Sequence, residues 1–127
     1  MKRDMDLIRM ILFRIEEEVD NTVEYDLSIE GFSLDQVAYH CSILYNGGYI
    51  KEYKASYAED EIDSFLIGGL TWSGHEFLEV IRNDTVWIKT KETVKKEGLS
   101  LAIEVIKKIA SAILDEMTKV AIKKMML

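Results

Sequence analysis

The sequence predicts an α+β domain, mostly helical, with a helical C-terminal extension. Three observations carry that expectation. Leu7, Ile8, Ile11, Leu12, Ile15 and Val19 form an apolar stripe at helical period. Ser33 and Gln36 spell an S-x-x-Q helix start. The stretch from Tyr49 to Tyr57 then alternates residue by residue, and a second extended run from Ile62 to Leu70 can return beside it as a hairpin. A chain of 127 residues, 48 % hydrophobic, is long enough to bury one core without a metal or disulfide.

Each element has its own signal. Asp4 is a suitable N-cap for the first helix, and Asp6 favours the positive end of its dipole. Residues 22–29 alternate well enough for a short strand, and Glu30-Gly31 turns the chain. Phe32 and Val37 stand as a hydrophobic staple around the Ser33 cap; Val37, Cys41 and Leu44 mark the buried side of that helix, and Asn46-Gly47-Gly48 ends it. Ala58-Glu59-Asp60-Glu61 turns the hairpin. Thr71 caps a helix carrying Trp72, Phe77, Leu78 and Ile81, and Asp84 is the expected cap of the next, with Val86, Trp87 and Val94. Gly98 stops that helix and Ser100 is the expected start of the last. Residues 1–82 are read as the core and 83–127 as a helical extension within one structural unit.

Charge narrows the function. The net charge is −7, and the acidity sits in residues 1–70, with 6 Lys/Arg against 15 Asp/Glu. Bulk attraction to nucleic acid is thereby disfavoured. One cysteine, Cys41, excludes an internal disulfide and fits a reducing compartment. No apolar run reaches the ~18 residues of a transmembrane span, and the charges near the start do not suit a signal peptide. The expected setting is the cytoplasm.

The order of helix, short strand, helix ending in Asn-Gly-Gly, two-stranded wing and helix is similar to that of a winged helix-turn-helix. Tyr39 to Ile50 looks like a recognition helix running into a wing, and Leu70-Thr71-Trp72-Ser73-Gly74-His75-Glu76-Phe77-Leu78 is similar to the segment that closes the wing in many bacterial regulators. Residues 20–32 are too few for the helix that usually precedes the recognition helix. More narrowly, Met1 to Arg9, Tyr39 to Ile50, and Leu70 to Leu78 through Arg82-Asn83-Asp84-Thr85-Val86-Trp87 resemble domain of unknown function 2513, a family of bacterial and phage proteins. The resemblance covers most of residues 1–98. It implies a small cytoplasmic protein, often prophage-encoded, and brings no catalytic residues with it.

No residue set announces a reaction, and no cofactor or metal is expected. Trp72-Ser73-Gly74-His75 lacks the G-x-S-x-G elbow, His75-Glu76 is not H-E-x-x-H, and Gly68-Gly69 is no phosphate loop. His40 and Cys41 diverge around a helix, so a buried cysteine and half-exposed histidines are expected. Trp72, Phe77, Trp87, Phe13 and Phe65 read as core aromatics. From Ser33 to Gly48 there is no Lys or Arg, although phosphate contacts dominate DNA affinity. Gln36, His40, Lys51 and Lys54 are the residues that could touch DNA, which makes a DNA-binding regulator the second expectation. Protein contact is the first. Tyr53 and Tyr57 alternate with charged residues on the wing and can face a partner or pack on the body of the domain.

The last helix adds self-association. Ile103, Ile106, Ala110, Ile113, Met117 and Val120 step by 3, 4, 3, 4 and 3, the spacing of a two-helix seam. A homodimer is expected to bury that face; the alternative is a helix folded back and enclosed by residues 84–98 and the first helix. For the core itself, Leu44→Ala is expected to cost about 2–5 kcal/mol by leaving a cavity. Removing the Ser33 cap should cost only about 1 kcal/mol. Thermal melts of the two variants check the assigned core face.

Overall fold

The computed structural model describes all residues, 1–127. Five helices and a three-stranded antiparallel sheet follow the order α1 (Met5–Glu18), β1 (Glu24–Tyr25), α2 (Leu34–Asn46), β2 (Tyr53–Ala58), β3 (Glu61–Ile67), α3 (Trp72–Ile81), α4 (Asp84–Glu97) and α5 (Ile103–Met125). The sheet order is β1-β3-β2. This is a mostly helical α+β chain in a winged-helix-like layout. Its contacts gather into two compact units, Met1–Leu78 and Glu79–Leu127.

In the first unit, Leu7, Ile8, Ile11, Leu12 and Ile15 of α1 are fully buried, and α1 packs on α2. Asp4 caps α1 by accepting from Leu7 N at 3.1 Å. On α2, Val37, Ala38, Cys41 and Leu44 face inward, as their spacing predicts. The Ser33–Gln36 capping box is complete: Gln36 N donates to Ser33 Oγ at 3.2 Å and Ser33 N to Gln36 Oε1 at 2.9 Å. The helix ends in a Schellman motif. Gly48 takes φ +81°, its N–H donates to Tyr45 O, and Tyr49 N donates to Leu44 O at 2.9 Å.

The strands are shorter than their alternation predicts. Of residues 22–29, only Glu24 and Tyr25 pair with β3. Asp26 stops the strand by turning left-handed, φ +52°. Its N–H donates to Phe65 O at 2.8 Å, and its carboxylate accepts from Phe65 N at 2.9 Å and from Ser64 Oγ. One side chain thus replaces the next rung of the ladder. Leu27 and Ile29 leave the sheet and are buried. No helix forms between β1 and α2. In the hairpin, Tyr49 and Ile50 precede β2, Ile50 bridging to Leu70 alone, and β3 ends at Ile67 before the two glycines.

The junction of hairpin and α3 is held by close approach. Thr71 N donates to Tyr49 O at 3.1 Å, and the Thr71 hydroxyl donates to Gly48 O while accepting from Gly74 N at 3.1 Å. A Cβ on Gly74 would collide with the Tyr49 carbonyl oxygen. Only glycine lets the first turn of α3 rest on that backbone.

In the second unit, α4 and α5 pack together. Two helix starts differ from expectation. The α4 N-cap is Asn83, whose side chain accepts from Val86 N at 3.1 Å, so Asp84 lies in the first turn instead. The last helix begins at Ile103 with no side-chain cap; Ser100 is engaged locally, its Oγ accepting from Ala102 N. Gly98 ends α4 at φ +62°.

Gly74→Ala is expected to cost about 3 kcal/mol, because the added methyl must push apart two backbones. Ser73→Ala, at the exposed neighbour, should be near neutral. Equal melting temperatures for the two variants would mean that the close approach carries no energy.

Candidate interaction surfaces

The residues expected to read DNA differ in what the fold leaves exposed. His40 is 1 % exposed, a correction to the half-exposed ring predicted for it. Its Nε2 accepts from Asp4 N at 2.8 Å and its Nδ1 lies 2.7 Å from Gln36 O, so both nitrogens are spent in tying the start of α1 to α2. Only the tautomer with a proton on Nδ1 satisfies both bonds. The Gln36 amide oxygen is spent in the cap. Lys51 and Lys54 are exposed, yet Lys51 shares a cleft of about 330 Å³ with Glu16, Asp20 and His75, where carboxylates offset its charge. His40 is therefore not left free to meet a base edge.

Burial also decides the thiol. Cys41 is enclosed in the core, and desolvation pushes its pKa up to about 12, far from the thiolate that nucleophilic chemistry or metal ligation requires. His40, Cys41 and His75 do not gather with carboxylates into a ligand set.

Aromatic side chains instead reach the surface. Tyr53 is half-buried, its ring 6.4 Å from Tyr45 and 6.2 Å from Phe65, and burial followed by the neighbouring Tyr57 pushes its pKa up to about 12. It packs on the domain. Tyr57 is 64 % exposed. With Tyr39 of α2 it flanks a cleft of about 340 Å³, into which Asp35, Asp60 and Ile62 also project. Asp35 ties the two walls, its Oδ1 accepting from Ile62 N at 3.2 Å. Tyr39, Asp35 and Asp60 were not singled out by sequence, because a tyrosine beside a helix stripe carries no sign of what lies across from it.

Trp72 is a correction to the core expected of the aromatics: it is 79 % exposed. The buried residues of α3 are Gly74, Phe77, Leu78 and Ile81, spaced i, i+3, i+4 and i+7, and Trp72 falls on the opposite side of that stripe. Phe65, Phe77 and Trp87 are buried as expected, while Phe13 is half-buried beneath Arg9.

The predicted seam on α5 divides. Ile103, Ile106 and Ala110 are buried in the half of α5 that begins the packing unit with α4, so they are not open to a second copy; this corrects the unbroken seam. Ile113 and Met117 are half-buried and Val120 is exposed. These three, with Ala121, line an apolar groove of about 530 Å³ edged by Lys89 of α4 and by Glu116 and Lys124. Beyond it Ile122, Met125 and Met126 are exposed. No helix is long and apolar enough to cross a membrane.

The fold and these surfaces define a class: a small winged-helix-like α+β unit joined to a helix pair, with aromatic and apolar side chains outside. The chain belongs to the family described as "Hypothetical protein (DUF2513)", whose model matches residues 2–100. It is 39 % identical over 119 residues to an "Uncharacterized protein" of Haemophilus influenzae (strain ATCC 51907 / DSM 11121 / KW20 / Rd), covering 92 % of this chain and 98 % of that one. No solved structure matches it.

One acidic contact in the first unit gives a pH test. Glu24 on β1 has a buried carboxyl oxygen without a hydrogen-bond partner. Burial, then the adjacent Glu18 carboxyl, pushes its pKa above the ordinary 4.5, while Arg14, donating to Glu18 at 2.9 Å, pulls Glu18 down. A raised folded-state pKa favours the fold at low pH and is a burden once pH climbs through it. Glu24→Gln, neutral at every pH, is therefore expected to melt above the wild type at pH 7–8, the gap closing as pH falls toward 4.5. A gap that stays constant across this range would overturn that assignment.

Proposed function

We propose that this protein is a non-enzymatic winged-helix module, a bacterial or prophage regulatory or adaptor protein that works in the cytoplasm by protein contacts and self-association. The observation that carries this reading is the open second half of α5, where Ile113, Met117, Val120 and Ala121 line an apolar groove rather than a solvated helix face. Apolar surface gathered in this way is characteristic of protein interfaces. A second copy is its best-matched occupant. Asp115-Glu116 lie two turns before Lys123-Lys124, so an antiparallel neighbour related by a two-fold axis sets acids opposite lysines along the rim. Exposed Trp72 and Tyr57 add anchors of the kind that dominate protein interfaces.

A DNA-binding regulator using the 33–46 helix and the 49–70 wing is the second reading. It is favoured by the helix-and-hairpin layout and by exposed Lys51 and Lys54. Against it stand a helix without Lys or Arg and a histidine enclosed in the core.

Sedimentation equilibrium at roughly tens of micromolar, a range where moderate interfaces are populated, is expected to find a dimer. Met117→Asp with Val120→Asp should yield a monomer of unchanged helicity. Ile106→Asp, placed at a buried position, should instead lose helicity. A monomeric wild type defeats the self-association reading.

A further inference from the structure

We propose that residues 1–4 form a strap across α2, held closed by the neutral His40 ring and released when that ring takes up a proton. This goes beyond the protein-contact reading and does not rest on self-association. The strap has two points of attachment. At its root Asp4 N donates to His40 Nε2 at 2.8 Å, joining residues 36 apart in the chain. At its far end Met1 lies against the cleft between α2 and the hairpin, beside Asp35, Ala38, Tyr39 and Ser42. Ala38 and Ser42 each stand two residues from His40, and at about 3.6 residues per turn that is more than half a turn around the helix. Residues 1–4 therefore pass from the α1 side of α2 to its hairpin side, crossing the helix that a winged-helix layout presents to a partner.

The His40 ring can hold this strap in one protonation state only. Nδ1 lies 2.7 Å from Gln36 O, a carbonyl that can only accept, so the ring proton sits there and Nε2 turns a lone pair to Asp4 N. A second proton makes Nε2 a donor facing a donor, and the bond is lost. The ring is buried, so water cannot replace Asp4 while the strap is closed. The surrounding charges do not rescue the cation. On the α1 side, the Asp4 carboxylate accepts from Leu7 N at 3.1 Å as the helix cap and must leave that cap to reach the ring; Arg3 and Asp6 follow on either side along the chain. On α2 itself, Tyr39 meets the ring edge-on at 5.4 Å between centroids, and the neighbouring Cys41 stays a buried neutral thiol. Strands β2 and β3 lie on the other side of α2, where Asp35, Tyr53, Tyr57 and Asp60 line the cleft. A neutral ring at higher pH thus keeps the strap closed. A proton gained as pH falls opens it, lifting Met1 from the cleft and baring the wall formed by Tyr39 and Ser42.

The test is NMR of the ¹⁵N-labelled full chain from about pH 8 to about pH 5, the span in which imidazole changes charge. Long-range ¹⁵N–¹H spectra read each histidine ring directly, with the exposed His75 as a separate reference. At the high end His40 should carry its proton on Nδ1. As the ring gains its second proton, exchange protection of the Asp4 amide, corrected for the intrinsic rate, should fall about tenfold, the worth of one hydrogen bond. The amides of Arg3, Tyr39 and Ser42 should shift with the same midpoint, while Val37, Cys41 and Leu44 keep their protection. His40→Gln, which offers Asp4 an oxygen that takes up no proton in this range, should keep Asp4 protected throughout and abolish the shifts of Tyr39 and Ser42. Should that variant not fold, the wild-type ring and amide titrations decide alone. Asp4 protection that survives a doubly protonated ring, cleft amides that move with another midpoint, a ring still neutral at about pH 5, or core protection lost in step with Asp4 would each overturn the proposal.

Discussion

The contact between Gly74 and the Tyr49 carbonyl sets the geometry of the first unit. It exists because α2 ends in a left-handed glycine, which turns Tyr49 back across the start of α3. Thr71 then bonds both neighbours of that turn, Gly48 through its hydroxyl and Tyr49 through its N–H. The hairpin leaves and returns between these two points. With its ends clamped, β3 is held where Asp26 can pair with Phe65, and α2 where Asp35 can reach Ile62. The cleft between helix and hairpin is a consequence of that clamp.

A winged-helix layout puts one helix and one hairpin on a common face, and the side chains decide what that face can meet. Here α2 contributes Tyr39 and Asp35 where a DNA reader would carry cations, and its histidine is spent internally. Phosphate contacts supply most of DNA affinity, so the loss of cations matters more than the presence of a few hydrogen-bonding groups. The layout by itself therefore assigns no partner.

The second unit has a similar division of labour. A helix needs only about a 100° stripe to pack on one neighbour. Near its start α5 uses that stripe on its own unit, burying Ile103, Ile106 and Ala110; further along, the stripe continues while the cover ends. The groove is the uncovered continuation of an internal packing face, which is why apolar side chains run along it with Lys89, Glu116 and Lys124 at its edges.

Helix positions and most of their caps, those of α4 and α5 excepted, were legible in the sequence because local chemistry fixes them. Asp4, Ser33 with Gln36, Thr71, Gly48 and Gly98 act within a turn or two of themselves, and their roles needed no distant partner. The buried side of α1 and α2 was legible for the same reason, through periodicity. Long-range geometry decided the rest. The alternation over residues 22–29 looked like a strand, but Asp26 finds Phe65 thirty-nine residues away and ends it. His40 reads as a polar residue on a helix until the chain returns Asp4 to its Nε2. Trp72 reads as core until Gly74 is pressed onto Tyr49 and fixes which side of α3 faces inward. The even seam on α5 could not show where α4 stops covering it. Sequence alone determined the helices and the inward faces of α1 and α2, since those depend on neighbours along the chain. Tertiary structure decided which polar groups are consumed and which apolar ones are left outside, since that depends on what the fold brings opposite them.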